Sequence, residues 1–227
     1  MIFPKWFNGI RVALAVGGGI GLLYVGVIIT FGFSPQATDV GYQPHQPIPY
    51  SHALHAGKLG IDCRYCHVNV EDSAHANIPP TQTCMGCHKN VTIPEDKQWK
   101  IDPLKDSFGI GKHPEKAGMP IEWIRIHDLP DFAYFNHSAH VRRGVGCVEC
   151  HGRIDRMEEV YQDKPLSMSW CLECHRNPEK HLRDPKIDRI TDMEWAPPRG
   201  QDRAAYGAKV RKDYGINPSQ DCSTCHR

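Results

Sequence analysis

All ten cysteines of the chain lie in five copies of one five-residue pattern, Cys-x-x-Cys-His. Two thiols three positions apart can each add to one vinyl group of the same haem, and the histidine that follows is then held under the iron. The pattern therefore predicts five covalently attached c-type haems, each with one motif histidine as an iron ligand. Numbered one to five in chain order, the motifs consist of Cys63, Cys66 and His67; Cys84, Cys87 and His88; Cys147, Cys150 and His151; Cys171, Cys174 and His175; and Cys222, Cys225 and His226.

Paired cysteines also occur in zinc sites and in redox-active Cys-x-x-Cys motifs. A structural zinc ion needs two such pairs and has no use for a histidine directly after each one. Here all five pairs are followed by histidine, and no cysteine is left over for a disulfide. The repeated histidine favours haem over zinc or thiol redox chemistry.

The composition offers little material for an ordinary apolar core. Aromatic residues make up 9% of the 227 residues, and mean hydropathy is −0.49 although a long apolar segment is included. We expect the porphyrins to supply the core of a multihaem cytochrome c fold. This fold should be mostly irregular, with short α-helices around the haem motifs, and should not form without haem. The formal charge of +1 and the lack of a basic cluster argue against a nucleic-acid partner.

Residues 12–33 form a run of 22 residues without a charged side chain, long enough to cross a bilayer as one helix. Lys5 and Arg11 precede the run. Positive residues before a span favour a cytoplasmic N-terminus. We therefore expect residues 1–11 in the cytoplasm, a single anchor over 12–33 in the inner membrane, and a periplasmic haem domain over 34–227. Haem attachment outside the cytoplasmic membrane agrees with this orientation.

The apolar run could instead belong to a cleaved signal peptide, whose apolar region is normally about 7–15 residues long. This run is longer, and residues 31–35 make a poor cleavage site, so an uncleaved anchor is the expectation. Ala13, Gly17 and Gly21 lie four positions apart on one helix face. Small residues at that spacing allow another membrane helix to approach closely, which suggests integral membrane partners.

The haem domain contains an internal repeat. The pattern aromatic-x-His-x-x-His occurs twice, in Tyr50–His55 and in Phe135–His140. Each copy lies six or seven residues before a haem motif, and a second haem motif follows in both cases. The sequence thus predicts dihaem modules over about 45–90 and 130–180, a loop-rich connector over 89–134, and a fifth haem at the C-terminus.

The repeated histidine pairs suit the sixth ligands of the irons. Histidines three apart in a helix lie on one face about 60° apart, so one turn can ligate two neighbouring haems. The predicted sixth ligands are His52, His55, His137 and His140.

The remaining sixth ligand has several candidates. His127 is the first choice, and His75, Met157 and Met168 stay open as alternatives. A methionine ligand would raise the reduction potential of its haem. The histidines expected to be exposed are His45, His113 and His181.

Longer strings around the motifs carry a family resemblance that covers essentially the whole chain. The sequence resembles the pentahaem cytochrome c subunit of alternative complex III, a quinol-oxidising respiratory and photosynthetic membrane complex. The strings that carry it are residues 46–52, 60–67, 127–131, 135–140 and 167–176.

The resemblance implies a set of partners and a role. The partners would be integral membrane quinol-binding subunits, a large iron–sulfur subunit and a monohaem cytochrome. The chain would relay electrons towards a periplasmic carrier or a terminal oxidase, as an electron-transfer subunit and not an enzyme in itself. Two alternatives remain: a self-sufficient membrane-anchored quinol dehydrogenase, and a multihaem reductase, for instance of nitrite, which would need an iron with an open coordination position.

The motif analysis generates a stoichiometry that can be measured. Because each of the ten thiols has a thioether role, denatured mature protein should retain five haems per chain. A pyridine haemochrome assay on protein of known concentration measures this ratio. A value of four or fewer in fully processed protein would contradict the interpretation.

Overall fold

The computed structural model describes Pro4, residues 6–33 and residues 38–226. Lys5 and the start of the predicted haem domain at 34 lie outside the described residues, as do residues 34 and 35 of the possible cleavage site 31–35. The chain divides into two compact units, Met1–Gly41 and Tyr42–Arg227.

The N-terminal unit consists of one long helix, α1, from Phe7 to Gly32. Its segment Gly9–Gly32 has a mean hydropathy of 2.3, and none of it is buried within the protein. By length and composition this helix can cross a membrane, as the sequence predicts. The helix begins before the uncharged run at 12, since Arg11 and the residues preceding it continue the same turns.

The second unit is built from short helices and irregular chain. Its α-helices are α2 (Cys63–Cys66), α3 (Thr81–His88), α4 (Asp102–Phe108), α5 (His137–Val141), α6 (Cys147–His151), α7 (Met168–Arg176), α8 (Arg203–Asp213) and α9 (Cys222–Cys225). A π-helical turn covers Ala53–Lys58, and 3-10 turns cover Glu95–Lys100, Pro114–Lys116, Ile154–Arg156 and Pro178–His181. Pairing between chain segments in the described part is limited to isolated bridges, such as the one between Ala133 and His226. The prediction of a mostly irregular fold with short helices around the motifs is confirmed.

Side-chain caps define where several of these helices begin. The Asp62 carboxylate accepts a hydrogen bond from the backbone N–H of Arg64 at 3.0 Å, at the start of α2. Asn136, Ser167 and Asp202 cap α5, α7 and α8 in the same way. Such a cap contributes about 1 kcal/mol, which matters for helices of one or two turns that are marginal by themselves.

Buried apolar side chains form two small clusters at opposite ends of the sequence of this unit. The first contains Ile48, Met85 and Leu104, and the second contains Leu182, Val210 and Ile216. Leu104 belongs to α4, so the connector over 89–134 is more structured than the expected loop-rich segment. Neither cluster is large enough to serve as a conventional core for about 190 residues. The expectation that bound haem completes the interior fits this scarcity.

The two predicted modules are interlocked through backbone hydrogen bonds. The Ala53 N–H donates to the Met157 carbonyl at 2.9 Å, and the His137 N–H donates to the Ala74 carbonyl at 3.1 Å. Gly57 lies so close to the Asp155 carbonyl that a Cβ at this position would overlap it. Segments of one module therefore pack against segments of the other, which the sequence repeat alone does not indicate.

Helix α8 supplies a test of packing outside the motifs. Gly207 is buried against the carbonyl of Glu179, and an added Cβ would overlap that oxygen. We expect Gly207→Ala to lower the free energy of unfolding by about 1–3 kcal/mol because the backbones must separate. Thermal unfolding followed by circular dichroism measures the loss, with Ala208→Ser at the neighbouring exposed position as the control. Equal midpoints for the two variants would contradict the close packing.

Candidate haem sites

Three of the five motif histidines are oriented by a backbone carbonyl. The distance from Nδ1 to the carbonyl oxygen is 2.6 Å for His67 and Asn77, and 2.6 Å for His175 and Ser219. His226 makes the same contact with Phe132 at 3.2 Å. A carbonyl only accepts, so Nδ1 must carry the proton, which leaves the Nε2 lone pair free to bind iron.

The other two motif histidines are buried without such an anchor. Nδ1 of His88 and Nδ1 of His151 are buried and have no hydrogen-bond partner among the described residues. Burial lowers the pKa of His151 to about 3 and also lowers the pKa of His88. Both rings are therefore neutral at physiological pH, which is the protonation state that binds a metal.

The repeated aromatic-x-His-x-x-His element has nearly the same geometry in both modules. The ring of Tyr50 lies 4.8 Å from that of His52 and 4.4 Å from that of His55. In the second module the ring of Phe135 lies 4.8 Å from that of His137 and 4.5 Å from that of His140. One aromatic ring thus contacts both histidines of each pair. The aromatic residue is part of the repeated pattern, but the sequence alone did not indicate this role.

The second histidine of each pair is also fixed by its own turn. His55 Nδ1 donates to the Ser51 carbonyl at 2.8 Å, and His140 Nδ1 donates to the Asn136 carbonyl at 2.7 Å. Both acceptors lie four residues earlier in the chain. As on the motif side, this arrangement presents Nε2 for ligation.

The distances between histidine rings test whether haem fits these residues. A metal–imidazole bond is about 2 Å long and the ring centre lies about 1.2 Å from its nitrogen, so two imidazoles on opposite faces of one iron have centres about 6.3 Å apart. Three ring pairs have this separation. They are His55 and His88 at 6.2 Å, His140 and His175 at 6.1 Å, and His137 and His151 at 6.4 Å.

Each of these pairs joins a motif histidine to a predicted sixth ligand. The two protein nitrogens would complete an iron whose other four ligands come from the porphyrin, so the residues present fit c-type haem. His52, the fourth predicted ligand, is mostly buried, and burial followed by the charge of His67 lowers its pKa to about 4. Nδ1 of His52 is also buried without a partner among the described residues.

His127 does not lie opposite His151. The two ring centres are 4.4 Å apart, which is too short for two ligands of one iron, and Nε2 of His127 is buried without a hydrogen-bond partner among the described residues. Among the described residues the ring contact found for His226 is with Phe132 at 5.7 Å. Of the other candidates, Met157 is buried and Met168 has 64% of its surface exposed. The assignment of His127, His75, Met157 or Met168 stays a prediction.

Burial disfavours the thiolate form at several of the motif cysteines. Burial raises the pKa of Cys150 to about 12 and that of Cys174 to about 11, with further contributions from neighbouring negative groups. Zinc binds cysteine as thiolate, so a zinc site here would have to overcome this burial. Thioether formation with haem removes the titrating proton and leaves an apolar sulfur that suits a buried position.

A cluster of charged residues beside motif three was not found by sequence reasoning. Arg183 is fully buried, and its guanidinium lies 5.0 Å from the ring of Trp195 and against the backbone of Gly146. Its Nε and Nη2 have no partner among the described residues, and the same holds for Nε of Arg203. Buried guanidinium groups with free donors can hold a carboxylate such as a haem propionate. A buried arginine leaves no periodic signal in a sequence, so the pattern could not reveal it.

The histidines expected to be exposed lie outside the paired sites. The His45 side chain is 92% exposed and bonds to Glu159 at 2.9 Å. His113 bonds to Glu115. His181 is less exposed than expected, because it contacts the Glu149 carboxylate within motif three at 2.7 Å.

The paired rings generate a ligation test. Replacing His140 by alanine should leave the iron of motif four with one protein ligand and convert about one haem per chain from low spin to high spin. Electron paramagnetic resonance of the oxidised protein and carbon monoxide binding to the reduced protein measure this change. His113→Ala, at an exposed histidine, is the control and should change neither. An unchanged low-spin spectrum in His140→Ala would contradict the assignment.

Comparison with known proteins agrees with this geometry. The protein-family model described as "Cytochrome c7 and related cytochrome c" matches residues 133–227. The multihaem cytochrome c subunit of menaquinone reductase from Nitratidesulfovibrio vulgaris is 28% identical over 189 residues, which cover 73% of this chain and 84% of that protein.

A second similar protein is cytochrome c-552 from Haemophilus influenzae, which is 23% identical over 192 residues. The match covers 78% of this chain but spans only about a third of the length of that cytochrome. The chain therefore has the fold of a multihaem cytochrome c, mostly irregular with short helices around the haem motifs. Its residues 133–227 match the cytochrome c7 model, and most of its length is similar to multihaem cytochromes.

Proposed function

We propose that the chain carries five c-type haems and serves as the electron-transfer subunit of a membrane quinol-oxidising complex of the alternative complex III type. The observation that carries this proposal is the collection of all five motifs in one compact unit, Tyr42–Arg227, with three imidazole pairs at the spacing of opposite iron ligands. Haems held in so small a unit lie within electron-transfer distance of one another.

A link to quinone chemistry is supported by the similar protein from Nitratidesulfovibrio vulgaris, which is a subunit of menaquinone reductase. The helix Gly9–Gly32 would anchor the chain in the same membrane as the quinone pool. In this proposal the N-terminus is cytoplasmic and the haem domain is periplasmic. The partners are the quinol-binding membrane subunits, the iron–sulfur subunit and the monohaem cytochrome implied by the resemblance.

The chain itself is proposed to have no substrate. A reductase needs an iron with an open position, whereas the paired histidines close three irons and other histidines are available for the rest. Quinol oxidation needs proton acceptors and a pocket in or beside the bilayer. Residues 12–33 contain no ionisable group apart from the phenol of Tyr24, and a single helix offers little surface for such a pocket.

A second candidate differs in the direction of electron flow. The similar subunit belongs to an enzyme that reduces menaquinone, so this chain could deliver electrons to the quinone pool instead of receiving them. The purified complex distinguishes the two directions. If a menaquinol analogue reduces the haems of the complex, quinol oxidation is supported. If a menaquinone analogue oxidises prereduced haems and a menaquinol analogue does not reduce oxidised ones, the reverse direction is supported.

The relay role generates a test on the isolated chain. Correctly folded protein with all its haems should exchange electrons rapidly with soluble redox mediators, yet should not be reduced by a menaquinol analogue until its membrane partners are restored. Stopped-flow absorbance of the haem bands measures both reactions. Rapid, inhibitor-sensitive reduction of the purified chain by quinol would overturn the proposal and favour a self-sufficient quinol dehydrogenase.

A further inference from the structure

Motifs one and two are joined by the first histidine pair. His52 and His55 leave the same turn, and the His55 ring lies 6.2 Å from His88 of motif two. The N–H of Ile61, two residues before Cys63 of motif one, donates to the His55 carbonyl at 3.0 Å. A single turn therefore reaches from motif one to motif two.

Motif one also contacts motif three, across the two modules. Residues 189–191 form hydrogen bonds with the first turn of both motifs. The Asp62 carboxylate, directly before Cys63, accepts from Thr191 Oγ1 at 2.8 Å and from Arg189 at 3.1 Å. The Cys147 N–H donates to the Ile190 carbonyl at 3.3 Å.

The segment 74–77 gives a second link between motif one and the ligand that faces motif three. His67 Nδ1 donates to the Asn77 carbonyl at 2.6 Å, and His137 Nδ1 of the second module donates to the Ala74 carbonyl at 2.8 Å. Motifs one and three are thus neighbours, although motif two lies between them in the sequence.

Motifs three and four are joined by the second histidine pair in the same way as one and two. His137 faces His151 of motif three at 6.4 Å, and His140, on the same turn, faces His175 of motif four at 6.1 Å.

Motif five attaches on the side of motif four. His175 Nδ1 donates to the carbonyl of Ser219, three residues before Cys222, at 2.6 Å. The Tyr134 N–H donates to the Cys225 carbonyl at 2.8 Å, and the next residue, Phe135, stacks on His140. Both contacts lead from motif five to the ligands of motif four.

We propose that the haems form one unbranched file in the order two–one–three–four–five, so that electrons enter and leave through motifs two and five. The inference rests on the proposed function for its count of five haems, and it adds the order. Motifs one, three and four are interior members of the file. The partners of the chain, whichever direction electrons take, contact it near Cys84–His88 and near Cys222–His226.

Iron positions decide the order directly. Anomalous diffraction at the iron absorption edge, from crystals of the holoprotein or of the complex with which it purifies, locates each iron beside its motif histidine. The expected nearest neighbours run from His88 through His67, His151 and His175 to His226, with the first and last irons the most distant pair. A branched arrangement, or any other order of neighbours, would overturn the file. Fewer than five irons would contradict the proposed haem count while leaving the order of the remaining irons readable.

A kinetic experiment tests the same order in solution. Haem attachment uses all ten native cysteines, so one added cysteine can be labelled with a photoreducing ruthenium complex that a sacrificial donor in solution regenerates. Val91→Cys places the label beside motif two, because the Val91 N–H bonds to Cys87. Asp131→Cys places it beside motif five, because the next residue, Phe132, contacts His226.

A haem with one methionine ligand reports the arrival of the electron. Its oxidised form has a charge-transfer band that bis-histidine haems lack, and its raised reduction potential makes it the preferred electron acceptor. His55→Met marks the haem of motif two and His140→Met that of motif four. From the label at position 131, the motif-four haem should be reduced first. From the label at position 91, the motif-two haem should be reduced first. The same order from both labels would overturn the proposal.

Discussion

Two imidazoles on one turn of backbone are the constraint on which each dihaem module depends. The aromatic residue two positions before the first histidine contacts both rings, and the second ring is fixed through Nδ1 to a carbonyl of the same turn. If both histidines ligate iron, one rigid element would set the positions of two irons relative to each other. The separation of the two haems of a module would then be determined largely by the three-residue spacing of the histidines.

Long-range packing in this protein is correspondingly sparse. The buried apolar clusters lie around Met85 and Leu182, next to motif two and beyond motif four, and neither lies between the modules. Several histidine nitrogens, such as Nδ1 of His88 and of His151, are buried without a hydrogen-bond partner among the described residues, which is costly. Bound haem would supply the apolar surface that the two clusters lack. We therefore expect haem binding and folding to be coupled, as in small domains whose stability comes from a metal.

The sequence predicted the parts of this fold that are encoded locally. The motifs, the repeated histidine turn and the apolar helix each have a short-range pattern, and each appears where the pattern placed it. The interlocking of the modules rests on contacts such as His137 with Ala74, between residues 63 positions apart. No repeat or periodic pattern in the sequence predicts such a contact. The ring of His127 lies beside His151 and not opposite it. The residues before His127 are irregular chain, so the number of residues between His127 and a motif does not predict which way the His127 ring points. Arg183 was missed because nothing in a sequence distinguishes a buried arginine from an exposed one.

The way in which the modules meet explains why chain order and spatial order differ. Motifs one and three are the equivalent, first motifs of the two repeats, and they are clamped by the segment 189–191. Because the two repeats join through their first motifs, the proposed file places their second motifs, two and four, on either side of this junction. Motif four is attached to the segment before motif five, because His175 Nδ1 donates to the Ser219 carbonyl. An added single-haem tail thus lengthens the assembly at one end and leaves the other end, at motif two, free for a partner.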